Sequence, residues 1–126
     1  MAEVHPTTSI DSRAEIAPSA RLDRDVLVEG EVRIGEDVVI HPRVILRGPL
    51  TIGRGTVIYP GVCIGYPAQD IKFVPDRDTT PGVTIGERTV IREFVTIHAA
   101  TKSAPTSIGD GCYLMVGSHI GHDCVV

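Results

Sequence analysis

This sequence predicts an all-β fold, a parallel β-helix built from hexapeptide repeats, on three observations. An aliphatic residue stands at every sixth position from Ile10 through Ile16, Leu22, Val28, Ile34, Ile40, Leu46, Ile52 and Ile58 to Ile64. Ile, Leu and Val make up 35 of the 126 residues, so ten in one phase would arise by chance about three times in a million. Second, neither the three-and-four spacing of an amphipathic helix nor the two-residue turns of hairpins interrupt that series. Third, two Phe, three Tyr and no Trp amount to 4% aromatics, too few to fill an ordinary sandwich or α/β core.

After Ile64 the pattern skips residues 70–84 and resumes at Ile85, Ile91 and Ile97. It then skips 103–107 and returns at Ile108, Leu114 and Ile120. Residues 1–126 therefore read as one β-helix domain, with repeats over 10–69, 85–102 and 108–126 and insertions at 70–84 and 103–107. Each hexapeptide supplies a short strand and a corner, and three of them close a triangular coil of 18 residues. At roughly 4.8 Å per coil, about five coils make a prism about 24 Å tall, too narrow for Trp but filled by medium aliphatic side chains. A second small or medium residue falls four places after each repeat start, from Ala14 and Ala20 to Thr101, Cys112, Ser118 and Cys124, and is expected to pack near the interior. Glycine recurs one place after the start, as Gly35, Gly53, Gly65, Gly86, Gly109 and Gly121, where backbone must turn or approach closely.

A formal charge of −4, a pI near 5.7 and the lack of any basic run argue against nucleic acid as a partner, because phosphate backbones are bound by clustered Lys and Arg. Met1 to Ser12 contain no basic segment followed by an apolar one, and nowhere do 18 apolar residues run together. The expectation is a cytoplasmic protein that neither spans nor binds a membrane. Cys63, Cys112 and Cys124 lack the spacing of a disulfide framework and read as reduced thiols.

Counting hexapeptides in threes registers the coils across both insertions. First faces start at Ile34, Ile52, Ile85 and Ile108, second faces at Ile40, Ile58, Ile91 and Leu114, third faces at Leu46, Ile64, Ile97 and Ile120. Both insertions then leave the corner after the third face, and two loops on one edge of a rigid prism suggest a functional edge. His98 follows Ile97, His122 lies two residues beyond Ile120, and His119 precedes it, so three of the five histidines gather there. His5 and His41 read as surface residues.

Of the three, His122 is the candidate catalytic base. An imidazole titrates near neutral pH and can take a proton from a hydroxyl and return one to a leaving group. Asp123 follows it at a coil corner, where its carboxylate can orient the ring. Cys112, His119, His122 and Cys124 form an alternative zinc set by atom type. Both cysteines, however, sit at the fourth offset, where a small half-buried residue is expected anyway, so neither a metal nor another cofactor is expected.

Three stretches carry a more specific resemblance: Gln69-Asp70-Ile71-Lys72 opening the long insertion, Ile91-Arg92-Glu93-Phe94-Val95-Thr96-Ile97-His98, and Leu114-Met115 through His119-Ile120-Gly121-His122-Asp123-Cys124. In this order and spacing they resemble the UDP-N-acetylglucosamine acyltransferases of the left-handed β-helix family. The resemblance implies a left-handed coil, against the general preference of β-crossovers for the right hand. It implies that His122 activates the glucosamine 3-hydroxyl for attack on the thioester of an acyl carrier protein, at the start of lipid A synthesis. It further implies a homotrimer in which Asp70 and Lys72, with Gln69 beside them, reach the substrate from a neighbouring subunit, while His98 and His119 position the sugar nucleotide. Two departures stand out. Ala99-Ala100 replaces the Arg-Gly usual before Thr101, and Val126 is itself the next repeat start, so a fragment is expected that lacks the family's C-terminal coils and helical domain. A zinc lyase of the γ-carbonic anhydrase type and a catalytically silent β-helix are the other readings that the repeats allow.

Overall fold

The computed structural model describes residues 1–126 as seventeen strands of two to four residues, with no helix. Every pairing is between parallel strands, and each strand pairs with those one coil before and after it rather than with its sequence neighbours, which makes the chain a parallel β-helix with three faces. On the first face Glu15–Ile16, Val32–Ile34, Leu50–Ile52, Val83–Ile85 and Thr106–Ile108 lie side by side. Arg21–Leu22, Val39–Ile40, Val57–Ile58, Val90–Ile91 and Tyr113–Leu114 share the second face with Glu3–Val4 at its edge. The third face runs from Ser9–Ile10 through Leu27–Glu29, Ile45–Arg47, Cys63–Tyr66 and Thr96–His98 to His119–Ile120. Ile52 pairs with Ile85 and Ile64 with Ile97, so the repeat phase carries across the long insertion, as counting in threes requires. Glu3–Val4 begins the pattern one hexapeptide before Ile10; Val4 is partly exposed at the open end of the prism, and Met1 to Val4 hold no Ile or Leu.

The interior is the aliphatic series itself. Ile40, Leu46, Ile58, Ile64, Ile91 and Ile97 have no exposed surface, and the fourth-offset residues Val38, Val44, Val62 and Val95 join them. No aromatic side chain belongs to this core. Where the fourth offset is Thr56 or Thr89 the hydroxyls are buried but satisfied: Thr56 Oγ1 donates to the Gly86 carbonyl and accepts from the Thr89 amide, and Thr89 Oγ1 donates to the Gly109 carbonyl. These bonds tie successive coils at one corner, where an unpaired hydroxyl would be costly.

At the corners before and after the second face, and at Asp123, the backbone enters the left-handed region at the third offset. Asp25, Asp37, Gly55, Gly61, Gly111, Gly117 and Asp123 all have positive φ there, a conformation that Gly and Asp tolerate best. The glycines one place after the repeat start serve mainly close approach: a Cβ on Gly53 would meet Gly86 backbone at 2.6 Å. Gly65 is the exception, with φ +97° at the register shift that opens the long insertion, where a Cβ would fall 1.9 Å from the Arg47 carbonyl oxygen. Outside the prism, Glu3–Arg21 and Glu15–Arg33 pair at 3.1 and 3.3 Å across one 18-residue coil, exposed contacts that add little stability.

Truncating Ile58 to Ala in the middle of the prism is expected to cost about 2–5 kcal/mol, through lost burial and the cavity left behind. Thr51→Ala on the exposed first face is expected to change stability by less than about 0.5 kcal/mol. Urea unfolding of both variants checks the contrast, and equal losses would mean that the interior does not set stability.

Candidate active site

Both insertions leave the prism between the third and first faces, and the histidine cluster lies beside them. His98 ends its strand and His119 begins the next one along; their paired neighbours, Thr96 with His119 and Ile97 with Ile120, set the rings side by side. Their centroids are 4.6 Å apart at 73°, an edge-to-face contact. His119 Nδ1 shares a 2.7 Å hydrogen bond with Thr96 Oγ1. His98 Nδ1 is buried without a hydrogen-bond partner. Burial pushes the His98 imidazole below the ordinary histidine value, and the nearby His119 and His122 push the same way. The neutral ring with its proton on Nε2 leaves no N–H stranded in the interior, so His98 stands as a hydrogen-bond donor.

His122 follows Gly121 on the corner, with its side chain 34% exposed. Its Nδ1 lies 2.7 Å from Asp123 Oδ2. Asp123 turns the corner at φ +67° and is only 16% exposed. Its burial favours the neutral acid, but hydrogen bonds from His122, the Thr101 hydroxyl and the amides of Lys102 and Thr101 outweigh it and hold the carboxyl well below the usual carboxylate range. An ionised carboxylate only accepts, so His122 donates Nδ1–H to it, which leaves Nε2 as the acceptor of the neutral ring. The contact sets the His122 ring beside a fixed negative charge.

The structure brings together His98, His119, His122 and Asp123. Gln69, Asp70 and Lys72 stand apart from them on the long insertion, with no hydrogen bond or ion pair to the histidines within one chain. Asp70 there caps its own loop, accepting the Lys72 amide at Oδ1 (2.9 Å) and the Phe73 amide at its carbonyl (2.9 Å). Further along, the insertion is pinned by Asp76 to Arg47 at 3.5 Å and by the Thr80 hydroxyl to the Ala100 carbonyl. Cys112, His119, His122 and Cys124 do not converge as zinc ligands; no three His, Cys, Asp or Glu side chains of the chain are placed to hold a metal ion. His41 stacks on Tyr59 on the second face, 4.8 Å between ring centroids. Sequence reasoning missed Thr96 as a functional partner, and it took Thr101 for interior filler because it occupies a small-residue position of the repeat.

Residues 31–66 match the family model described as the bacterial transferase hexapeptide, six repeats. Over 98% of its length the chain is 34% identical to an acyl-[acyl-carrier-protein]--UDP-N-acetylglucosamine O-acyltransferase of Syntrophobacter fumaroxidans, of which it covers 48%. A protein of the same name from Thermodesulfovibrio yellowstonii is 36% identical over the whole chain, again with 48% covered. The crystal structure of the UDP-N-acetylglucosamine O-acyltransferase from Moraxella catarrhalis superposes with a TM-score of 0.92 at 38% identity, over 98% of this chain and 48% of that one. That from Acinetobacter baumannii gives 0.91 at 32% identity, over 98% and 47%. The chain spans about half the length of the curated relatives it matches. It is a left-handed parallel β-helix of hexapeptide repeats, similar along its length to about half of each of these acyltransferases.

The lowered His98 value sets a sign for stability against pH. A histidine that resists protonation in the fold costs nothing above its unfolded value near 6.5 and destabilises the fold as pH drops through that value toward its folded one. His98→Gln is therefore expected to lose less stability than the parent chain between pH 7.5 and 5.5, compared by urea unfolding at each pH. Parallel losses would show that His98 is as easily protonated folded as unfolded.

Proposed function

We propose that this chain carries the catalytic base of an acyltransferase that moves a (hydroxy)acyl group from acyl carrier protein to the 3-hydroxyl of UDP-N-acetylglucosamine, the opening reaction of lipid A synthesis. The observation that carries this reading is the 2.7 Å contact of His122 Nδ1 with Asp123, beside His98 and His119, in a chain related along its length to enzymes of that name. His122 Nε2 takes the proton of the sugar hydroxyl as its oxygen bonds to the thioester carbonyl carbon. The tetrahedral intermediate then collapses, the carrier's thiolate leaves, and His122 returns the proton to that sulfur. Asp123 stays ionised throughout and stabilises the imidazolium between the two transfers, as in other carboxylate–histidine pairs. His98, neutral and donating, and His119 position the sugar nucleotide. No cofactor enters the scheme.

The same reading makes the active unit a homotrimer in the cytoplasm, with Gln69, Asp70 and Lys72 of one copy completing the site of another. Two faces are suited to such packing. Val39, Val57 and Val90 point outward along the second face, and Leu27, Ile45 and Cys63 along the third; all are half-buried in the single chain. At the corner between these faces Phe94, Met115 and Val116 are 67%, 69% and 61% exposed. The first face carries Glu15, Arg33, Thr51, Thr84 and Ser107 outward instead, a polar row suited to solvent. Exposed apolar ridges of this kind mark contact sites between proteins. In the trimer, Lys72 suits a phosphate or acyl carbonyl and Asp70 a sugar hydroxyl.

Transfer from hydroxyacyl and plain acyl carrier proteins to UDP-N-acetylglucosamine tests the activity. His122→Ala is expected to lower turnover by about 10²–10⁴ fold while leaving the fold intact. Absence of transfer by the folded, assembled parent chain would sink the reading for these 126 residues. Sedimentation tests the assembly: Met115→Glu, placing charge on the exposed ridge, is expected to shift the protein from trimer to monomer, and an unchanged trimer would move the interface elsewhere.

A further inference from the structure

The short insertion that follows His98 has no role in the chemistry so far, yet the residues that lead into it and its far end both grip Asp123. Thr101 Oγ1 donates to Asp123 Oδ2 at 2.7 Å, and the amides of Thr101 and Lys102 donate to Oδ1 at 3.0 and 3.1 Å. From the other end of the segment, the buried Thr106 accepts the Asp123 amide at Oγ1, 2.9 Å away. The segment is tied in turn to the body of the prism, since the Ala100 and Thr106 amides both donate to the Gly82 carbonyl. Asp123 is thus held at its carboxylate and its amide by one piece of chain, and Oδ2 is shared between Thr101 and His122 alone.

We propose that Thr101 is a positioning residue, and that the 101–106 segment is a clamp whose Thr101 hydroxyl and paired amides fix the Asp123 carboxylate, so that His122 is held as the tautomer with Nε2 unprotonated. The geometry supports this over simple packing in two ways. A residue needed only for bulk at the fourth offset could be Val or Ala, as it is at Val95 and Ala20, whereas the hydroxyl here is spent on a functional carboxylate. Second, three donors converge on one carboxylate from two adjacent residues, which restricts both its rotation and its distance from the ring. Without the hydroxyl, Oδ2 would lose one of its two partners and the carboxylate could turn away from Nδ1; a wrongly presented tautomer disables a base even where its atoms remain in place. This role rests on reading His122 as the base.

The test is Thr101→Val, which keeps shape and amides and removes the hydroxyl, against Thr101→Ser, which restores it. Thr101→Ala repeats the deletion without β-branching should valine pack badly. Imidazole ¹⁵N signals of the full chain, recorded without substrate, report the His122 tautomer directly. The expected result is a single Nδ1–H tautomer in the parent and Ser variant, a mixture in the Val and Ala variants, and a kcat for acyl transfer lowered on the order of tenfold with KM changed less than about twofold. Unchanged ring signals in folded Thr101→Val, or failure of Ser to restore them, would overturn the role of Thr101. Because the signals need no turnover, they decide this point even if the chain transfers no acyl group, a result that would count against the activity alone.

Discussion

Everything in this molecule depends on one steric constraint: a triangular coil of 18 residues encloses room for one medium aliphatic side chain per face, with a smaller residue at each corner. Ile40, Ile58 and Ile91 stack on one face with no exposed surface, as do Leu46, Ile64 and Ile97 on another. Close-packed interiors tolerate neither voids nor excess bulk, so the six-residue phase must be kept, and any extra residues must leave the prism between repeats. Both insertions obey this. Apart from the local shift at Gly65 where the long insertion opens, the register carries across both, since Ile52 still meets Ile85 and Ile85 still meets Ile108.

That rigidity is what allows a site to be assembled at an edge. The histidines stand on strand ends and a corner whose positions are set by the coils, and the side chains that orient them come from adjacent coils: Thr96 for His119, Thr101 for Asp123. Sequence separations of 22 and 23 residues become hydrogen-bond distances because one coil plus the five-residue insertion spans 23 positions, and Thr101 and Asp123 lie one place off that register. Asp123 illustrates how scaffold and site share a residue. At its corner Asp123 adopts a left-handed backbone conformation that Asp accepts more readily than most residues, and the same turn aims its carboxylate at the clamp and its neighbour's ring.

The repeat made the fold legible. A period of six in aliphatic residues is a direct image of the interior, and counting it in threes places His98, His119 and His122 on one edge. The partners of those residues were not legible in the same way. Thr101 occupies a position where the repeat asks for a small residue, so composition gives it a packing role, and only its distance from Asp123 reveals another. Val4, aliphatic and in phase six places before Ile10, extends the same repeat by one hexapeptide to the open end of the prism. The long insertion lies outside the repeat altogether. Its conformation depends on local caps such as Asp70 and on anchors to Arg47 and Ala100, which no period encodes.

The three histidines differ in what they can do because they differ in what they touch. Asp123 is the one carboxylate hydrogen-bonded to any of them, and it bonds to His122. A proton taken up by that ring forms an ion pair with a carboxylate that its own donors keep ionised. On His119 the contact is a neutral threonine hydroxyl, which balances no charge. On His98 a proton would place a cation in a partly buried position beside two other imidazoles, with Nδ1 lacking any acceptor. Of the three rings, His122 alone has a carboxylate partner that could balance a charge, which is why the proposed reaction assigns it the role of base. A carboxylate in a low-dielectric surrounding exerts more force on a nearby charge than it would in water, so the placement of that single anion is what distinguishes the three rings as candidates for the base.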